Sequence, residues 1–395
     1  MRSAFAAVIP LFILCATGTA RAEAPVPIGR VTPPEGRFFD DAIAVSPDGQ
    51  SVAAVATDAA TKASLELWSP VGSTRTVLDG LPVGITALAF LGPNRVLVVS
   101  KKDAAGRLVA LVAEIHGDKK GRTLTLGKTR LGPADAIDVI ERKGQRFVTL
   151  YSRVEKKTVE HQLQILAADT LRSVARRSLT ESSEGLIRVR AGEMRPLWWS
   201  HGHTRLSGQT LGGYDKEHDI RRPDRYAQLD LFDNQVVDEH EIEDVMAFAK
   251  VALTRKSGPP HEAYARLSED RKEVLLLDGL DERTLPLARD LSLYEPSSLH
   301  SVKLDDKTLL VGIQVDPNNA VAVGRRQQDP DDFDLYTVDR ASMHGKTTLS
   351  ARRILTLPGQ GRPAGFAVAG GRLAILRKDK GFDRGGVAIE LYALP

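Results

Sequence analysis

Apolar residues along this chain come in short runs or at every second position, and each run stops at a cluster of Gly, Pro, Asn or Asp. Ala42-Ile43-Ala44-Val45 leads through Ser46-Pro47-Asp48-Gly49 into Val52-Ala53-Ala54-Val55. Ile85 to Phe90 turns at Gly92-Pro93-Asn94 and resumes at Val96 to Val99. The same succession joins Ala136 to Val139 with Phe147 to Leu150, Leu299 to Val302 with Leu309 to Ile313, and Ala364 to Val368 with Leu373 to Leu376. Period-two runs of Val, Ile and Leu bounded by turn residues predict antiparallel hairpins, and no comparable 3.6-residue pattern persists. The expected class is all-β.

A second pattern lies over the hairpins. A strand ending in an aromatic recurs at Leu65-Glu66-Leu67-Trp68, Leu229-Asp230-Leu231-Phe232, Leu291-Ser292-Leu293-Tyr294 and Ile389-Glu390-Leu391-Tyr392, with looser copies around Leu111, Ile165 and Leu335. Repeats spaced by roughly 40 to 65 residues point to stacked supersecondary units such as propeller blades. First strands rich in Ala and Val and third strands ending in large rings match the small-inside, large-outside taper of a radial array. Those aromatics are expected to pack between neighbouring blades. The expectation is a single closed β-propeller of seven blades, each a four-stranded antiparallel sheet. The last unit, Ala364 to Leu394, has three strands, and Val26 to Val31 is placed to supply the fourth and remove an exposed edge. Between Leu186 and Leu299 the units stretch, and Val245 to Leu253 either opens a blade or completes the preceding one.

The ends bear on where the protein works. Arg2 precedes the apolar run Ala4 to Ala16, and Ala20-Arg21-Ala22 suits cleavage before Glu23, so residues 1–22 read as an export signal and 23–395 as the propeller. The run is shorter than the roughly 20 residues of a membrane span and is interrupted by Pro10, and no later stretch is long enough, so no transmembrane anchor is expected after cleavage. The single cysteine, Cys15, lies inside the signal, which leaves the mature chain without disulfide or thiolate chemistry. Loss of Arg2 and Arg21 from the 54 basic residues leaves 52 against 51 acidic ones. That near-neutral balance argues against nucleic acid or anionic lipid as partners held by net charge. The expected location is periplasmic or secreted.

Ala44-Val45-Ser46-Pro47-Asp48-Gly49-Gln50-Ser51-Val52-Ala53, followed by Leu65-Glu66-Leu67-Trp68, resembles the repeat of WD-like and TolB-like β-propellers. In that repeat a Ser-Pro-Asp-Gly turn joins the first two strands of a blade, Pro setting one turn dihedral and Gly accepting positive φ. The first unit matches closely; the others keep the hydrophobic pattern and turn position. The resemblance implies the fold and a tendency to bind partners, with no particular activity attached.

Catalytic motifs are missing from the sequence. There is no Gly-x-Ser-x-Gly elbow, no phosphate-binding loop, no His-Glu-x-x-His and no dinucleotide fingerprint. Polar chemistry concentrates instead in Trp198-Trp199-Ser200-His201-Gly202-His203, followed by Tyr214, Glu217, His218 and Asp219. With Gly202, Gly208, Gly212 and Gly213 this stretch reads as a long exposed hairpin or insertion. Trp199, His201, His203, Tyr214 and His218 are its candidate binding residues. A hairpin returning His218 and Asp219 beside His201 and His203 would offer nitrogen and oxygen donors to zinc or a similar ion. Asp329, Asp331 and Asp332 offer carboxylates to calcium, with Arg325 and Arg326 just before them as alternative neutralising partners. Glu239-His240-Glu241 with Glu243 and Asp244 reads as a solvated charge run.

Two functions fit. One is an exported binding platform for a protein or polysaccharide of the cell envelope, needing no cofactor. The other is a metal-dependent hydrolase or lyase, lactonase-like, holding calcium or another divalent ion in the central channel.

Overall fold

A computed structural model describes residues 26–69, 74–102, 104, 106–117, 121–189, 192–200, 202–215, 217–221, 223–241, 265–268, 273–278, 281–285, 296–303, 308–315, 332–343, 346–357, 362–378 and 386–394. After β1 (Gly29–Val31) come two four-stranded meanders: β2 (Arg37–Val45), β3 (Val52–Asp58), β4 (Ala63–Ser69) and β5 (Thr74–Leu81), then β6 (Ile85–Gly92), β7 (Arg95–Lys101), β8 (Leu108–His116) and β9 (Thr123–Ala134). A third meander holds β10 (Ala136–Arg142), β11 (Gln145–Glu155), β12 (Val159–Ala167) and β13 (Ser173–Glu181). Its last strand touches β14 (Ile187–Val189) through the one pair Glu181 and Ile187. β14 then leads into β15 (Gly192–Ser200), β16 (Arg205–Thr210), β19 (Arg225–Asp230) and β20 (Gln235–Glu241). Between β16 and β19 the chain leaves the sheet to form a separate hairpin, β17 (Tyr214–Asp215) and β18 (Ile220–Arg221). Three strands follow, β21 (Ala265–Leu267), β22 (Val274–Asp278) and β23 (Asp281–Thr284), then the meander β24 (Pro296–Lys303), β25 (Thr308–Val315), β26 (Asp332–Met343) and β27 (Lys346–Leu357). The final sheet is β28 (Arg362–Ala369), β29 (Arg372–Lys378) and β30 (Ala388–Ala393), with β1 as its fourth strand.

The expected hairpins and third strands fall where the pattern put them. Trp68 ends the motif on β4, Leu111 lies on β8, Ile165 on β12, Leu229 on β19, Leu335 on β26 and Tyr392 on β30. The copy at Leu291, the segment from Val245 to Leu253 and the export signal lie outside the described residues.

Continuous apolar runs follow from sheets that bury both faces, because successive side chains on a strand point to opposite sides. On β7, Val96 and Val98 pack with Ala53, Leu65 and Leu67 of the first sheet. Leu97 and Val99 pack on the other side with Ile137, Val148 and Leu166 of the third. Phe147, Tyr151, Leu163 and Ile165 then meet Met194, Leu206, Ala227 and Leu229 of the next sheet. Leu335 and Leu355 pack on Leu373, Ile375 and Tyr392. Consecutive four-stranded meanders stacked face to face in chain order are the architecture of a β-propeller.

The two chain ends meet. Gly29, Arg30 and Val31 pair antiparallel with Leu391, Glu390 and Ile389. Val31, Ala374, Leu376 and Leu391 pack against Phe39, Val52, Ala54 and Ala56 of the first sheet. The β2–β3 turn and the β28–β29 turn touch so closely that a Cβ on Gly370, at φ +54°, would stand 2.3 Å from Gly49 N. The expected N-terminal strand is therefore present, as the shorter Gly29–Val31. Among the described residues no helix is long and apolar enough to cross a membrane.

Two devices hold the repeat. In the Ser-Pro-Asp-Gly turn, Asp48 accepts the Ser46 hydroxyl at 2.5 Å and the Gln50 N–H at 3.0 Å, while Ser46 Oγ accepts the Ser51 N–H at 2.8 Å. Burial pushes the Asp48 carboxyl up, but these donors and Arg122 outweigh it and hold the group below its ordinary value. The second device is the acidic residue inside the aromatic-ended motif. Glu66 takes Arg75 at 2.7 and 3.1 Å and the Trp68 indole N–H at 3.1 Å. Asp230 takes Arg142 at 3.0 Å, and Glu390 takes the Tyr392 hydroxyl at 2.8 Å with Arg377 at 3.7 Å. Glu66 and Asp230 are fully buried and Glu390 is partly buried, each beside a cation, because a lone buried carboxylate would be costly.

Candidate functional site

The polar stretch that begins at the end of β15 divides into an inward part and an outward part. Trp198 is buried, and Trp199 packs with the core between the third and fourth sheets. Gly202 occupies φ +59°, and a Cβ there would come within 2.6 Å of Ile140 Cγ2 and 2.9 Å of Thr149 Oγ1. His203, at φ +62°, is carried by that tight turn onto the third sheet. There its ring stacks on Tyr151 with centroids 4.3 Å apart and planes 18° apart, and Nδ1 stands 3.5 Å from Asp138 Oδ2. The expectation of one long exposed loop is thus corrected for this half: Gly202 and Gly208 mark close packing, since a Cβ on Gly208 would meet Met194 Cγ at 2.4 Å.

Tyr151 and His161 are the cluster members that sequence reasoning missed. They sit on β11 and β12, two residues out of direct register because Arg153 faces His161 and Tyr151 faces Leu163. The Tyr151 hydroxyl lies 2.8 Å from His161 Nδ1, and His161 Nε2 lies 2.8 Å from Glu181 Oε2. Burial pushes the Tyr151 phenol well above its ordinary value, so it stays protonated. A proton on Nε2 directed at the Glu181 carboxylate leaves Nδ1 to the phenol. Trp199 covers the group, 5.1 Å from Tyr151 and 5.5 Å from His161. The Tyr151–His161–Glu181 line is able to pass a proton, yet both ring nitrogens of His161 and the Tyr151 oxygen are spent on one another. It ties β11, β12 and β13 of the third sheet to one another. The local signal was the period-two alternation along β11 and β12, and such alternation marks any half-buried strand.

The outward part is the β17–β18 hairpin. Asp224 closes its neck, Oδ1 accepting the Gly212 N–H at 2.7 Å and Oδ2 accepting the Gln209 amide at 2.7 Å. The Thr210 hydroxyl adds a bond to the Arg225 carbonyl at 3.0 Å. Tyr214 pairs through its backbone with Arg221, and Glu217, His218 and Asp219 lie exposed at the turn. This half matches the exposed insertion expected from Gly212 and Gly213.

His203 faces the third sheet, while His218 and Asp219 are on the projecting hairpin. His201, Asp329 and Asp331 lie outside the described residues, and Asp332 opens β26. Among the described residues no three His, Cys, Asp or Glu side chains gather as ligands for an ion. Glu239, His240 and Glu241 form the end of the outer strand β20; Glu243 and Asp244 lie outside the described residues.

No family model and no characterised protein sequence matches this chain. Solved structures with similar folds include U3-55K, 10% identical over 94% of this chain and 100% of that one, with a TM-score of 0.39. The propeller domain of the Trilobed protease from Pyrococcus furiosus is 9% identical over 91% of this chain and 96% of its own, at 0.42. The WD40 domain of SCAP from fission yeast is 10% identical over 93% and 97%, at 0.37. The chain is built of propeller repeats, an assignment that stands on the sheet order and registers above rather than on these distant likenesses.

Proposed function

We propose that the protein is an exported seven-bladed β-propeller, cleaved after residue 22, that acts in the periplasm or outside the cell as an interaction platform for a protein of the envelope. The observation that supports this reading is the β17–β18 hairpin. It leaves the sheet between two consecutive strands, is braced at the neck by Asp224, and carries Glu217, His218 and Asp219 exposed at its turn. A braced neck under a polar tip suits recognition, since less loop entropy is lost on binding. A closed ring is supported by the pairing of β1 with β30 and the packing of the last sheet on the first.

The test is crosslinking in the exported compartment, comparing wild type with a Glu217→Ala, His218→Ala, Asp219→Ala triple variant. The expected result is a discrete crosslinked species that the variant loses while its melting temperature stays unchanged. An identical crosslinking pattern for both proteins would refute the hairpin as the contact. Elemental analysis addresses the alternative: a stoichiometric ion whose removal by chelator lowers the melting temperature would replace this reading with the metal-dependent hydrolase or lyase.

A further inference from the structure

A cleft of about 500 Å³ opens on the other face of the third sheet, away from the Tyr151 cluster. Its wall is Gly132-Pro133-Ala134 at the end of β9, and its floor is built by β11, β12 and β13. That volume falls within the range of small-ligand sites, about 300–1,000 Å³.

Register dictates what the floor presents. Leu150, Gln164 and Arg176 form one row across the three strands, and Ser152, Gln162 and Ser178 form the next. Alternation sends neighbours on a strand to opposite sides. Arg177 accordingly reaches the following sheet, its guanidinium donating to the carbonyls of Leu231 at 3.0 Å and Phe232 at 3.4 Å. Arg176 belongs to the cleft row, where its side chain is exposed. Gln162 and Ser178 are engaged with Glu160, the Ser178 hydroxyl at 2.6 Å. The Ser152 hydroxyl, the Gln164 amide and the Arg176 guanidinium make no hydrogen bond or ion pair with described residues. Among the described residues the floor thus offers one cation, one amide and one hydroxyl, beside the apolar surface of Leu150 and Pro133.

We infer that this cleft binds an acidic saccharide, with Arg176 taking a uronic acid carboxylate and Gln164 and Ser152 taking ring hydroxyls. The guanidinium fork matches a planar carboxylate with two parallel hydrogen bonds. An amide that both donates and accepts matches a hydroxyl, which does the same. Leu150 and Pro133 supply the apolar contact that the C–H face of a pyranose needs. Glu160 lies two rows of β12 away from the Arg176 row and outside the lining, so the acid end of the ligand is directed to Arg176. The cleft uses β9 and β11 to β13, whereas the protein-binding proposal uses the β17–β18 hairpin, so either fails without the other.

The test is titration calorimetry of the full mature protein with three probes: a disaccharide containing glucuronic acid, its carboxyl-reduced counterpart, and inorganic phosphate. The uronate is expected to bind at one site, with the reduced sugar and phosphate each at least tenfold weaker. Arg176→Ala should lose the same factor, Gln164→Ala should weaken binding several-fold, and Arg188→Ala on β14 should change nothing. Arg176 is exposed and Gln164 half-buried with no hydrogen bond to described residues, so both substitutions should leave the melting temperature unaltered, which separates lost contact from lost fold. Equal binding of the reduced sugar, equal binding of phosphate, indifference to Arg176→Ala, or no heat with the uronate would each overturn the assignment.

Discussion

The Tyr151 hydroxyl lies 2.8 Å from Nδ1 of His161, and the same imidazole reaches Glu181 through Nε2. Tyr151→Phe leaves a buried ring nitrogen without a donor. The expected cost is about 1–3 kcal/mol, the desolvation of one orphaned acceptor. Urea unfolding measures it, and nitrogen NMR of the imidazole should show the Nε2–H tautomer in the wild type. A variant as stable as wild type would mean that water replaces the phenol.

Asp230 ties two sheets. It is fully buried and accepts Arg142 from β10 at 3.0 Å, while Arg142 also reaches Asp233 at 2.5 Å. Removing one partner of a buried pair costs about 3–5 kcal/mol, and Asp230→Ala is expected at the lower end because Arg142 keeps Asp233. Chemical denaturation checks the value.

The same carboxylate predicts a pH dependence. Burial pushes it up, but the Arg142 hydrogen bond and charge, the Asp233 N–H and Arg205 outweigh that and hold it below its ordinary value. A depressed folded value contributes stability that is full above the unfolded value, about 3.9, and is lost as pH falls through the folded one. The stability gap between wild type and Asp230→Asn should therefore be constant near neutrality and narrow below about pH 4. A gap independent of pH down to 2 would contradict it.

Gly202→Ala tests the turn that delivers His203. Positive φ and a Cβ 2.6 Å from Ile140 together should cost about 2–4 kcal/mol. Gly213→Ala is the control, because a Cβ there meets nothing within 4 Å.

Truncation through Val31 should expose the edge of β30. An unpaired edge invites pairing with another chain, so the shortened protein is expected to self-associate and melt lower, as light scattering and calorimetry would show. A monomer of unchanged stability would mean that β1 is dispensable.

The strands, their turns and the repeat were readable from residues 26 onward because alternation and turn chemistry act within a few positions. Val96 to Val99 announced a strand buried on both faces, and Ser46 to Gly49 announced the turn that Asp48 organises. The aromatic ends of the motif were rightly assigned to packing between sheets: Phe232 meets Phe147 edge-on at 4.9 Å, and Trp68 lies against the core between the first and last sheets. The acids beside them were visible as letters, but their partners were not. Arg142 stands 88 residues before Asp230, and sheet packing alone brings them together. His203 and His218 show the converse. They are 15 positions apart, yet one stands 3.5 Å from Asp138 on the third sheet and the other is at the turn of a separate two-stranded hairpin. Local backbone preferences decide that a segment is a strand, whereas burial across sheet faces decides which distant side chains meet, and the latter energy belongs to no single stretch of chain.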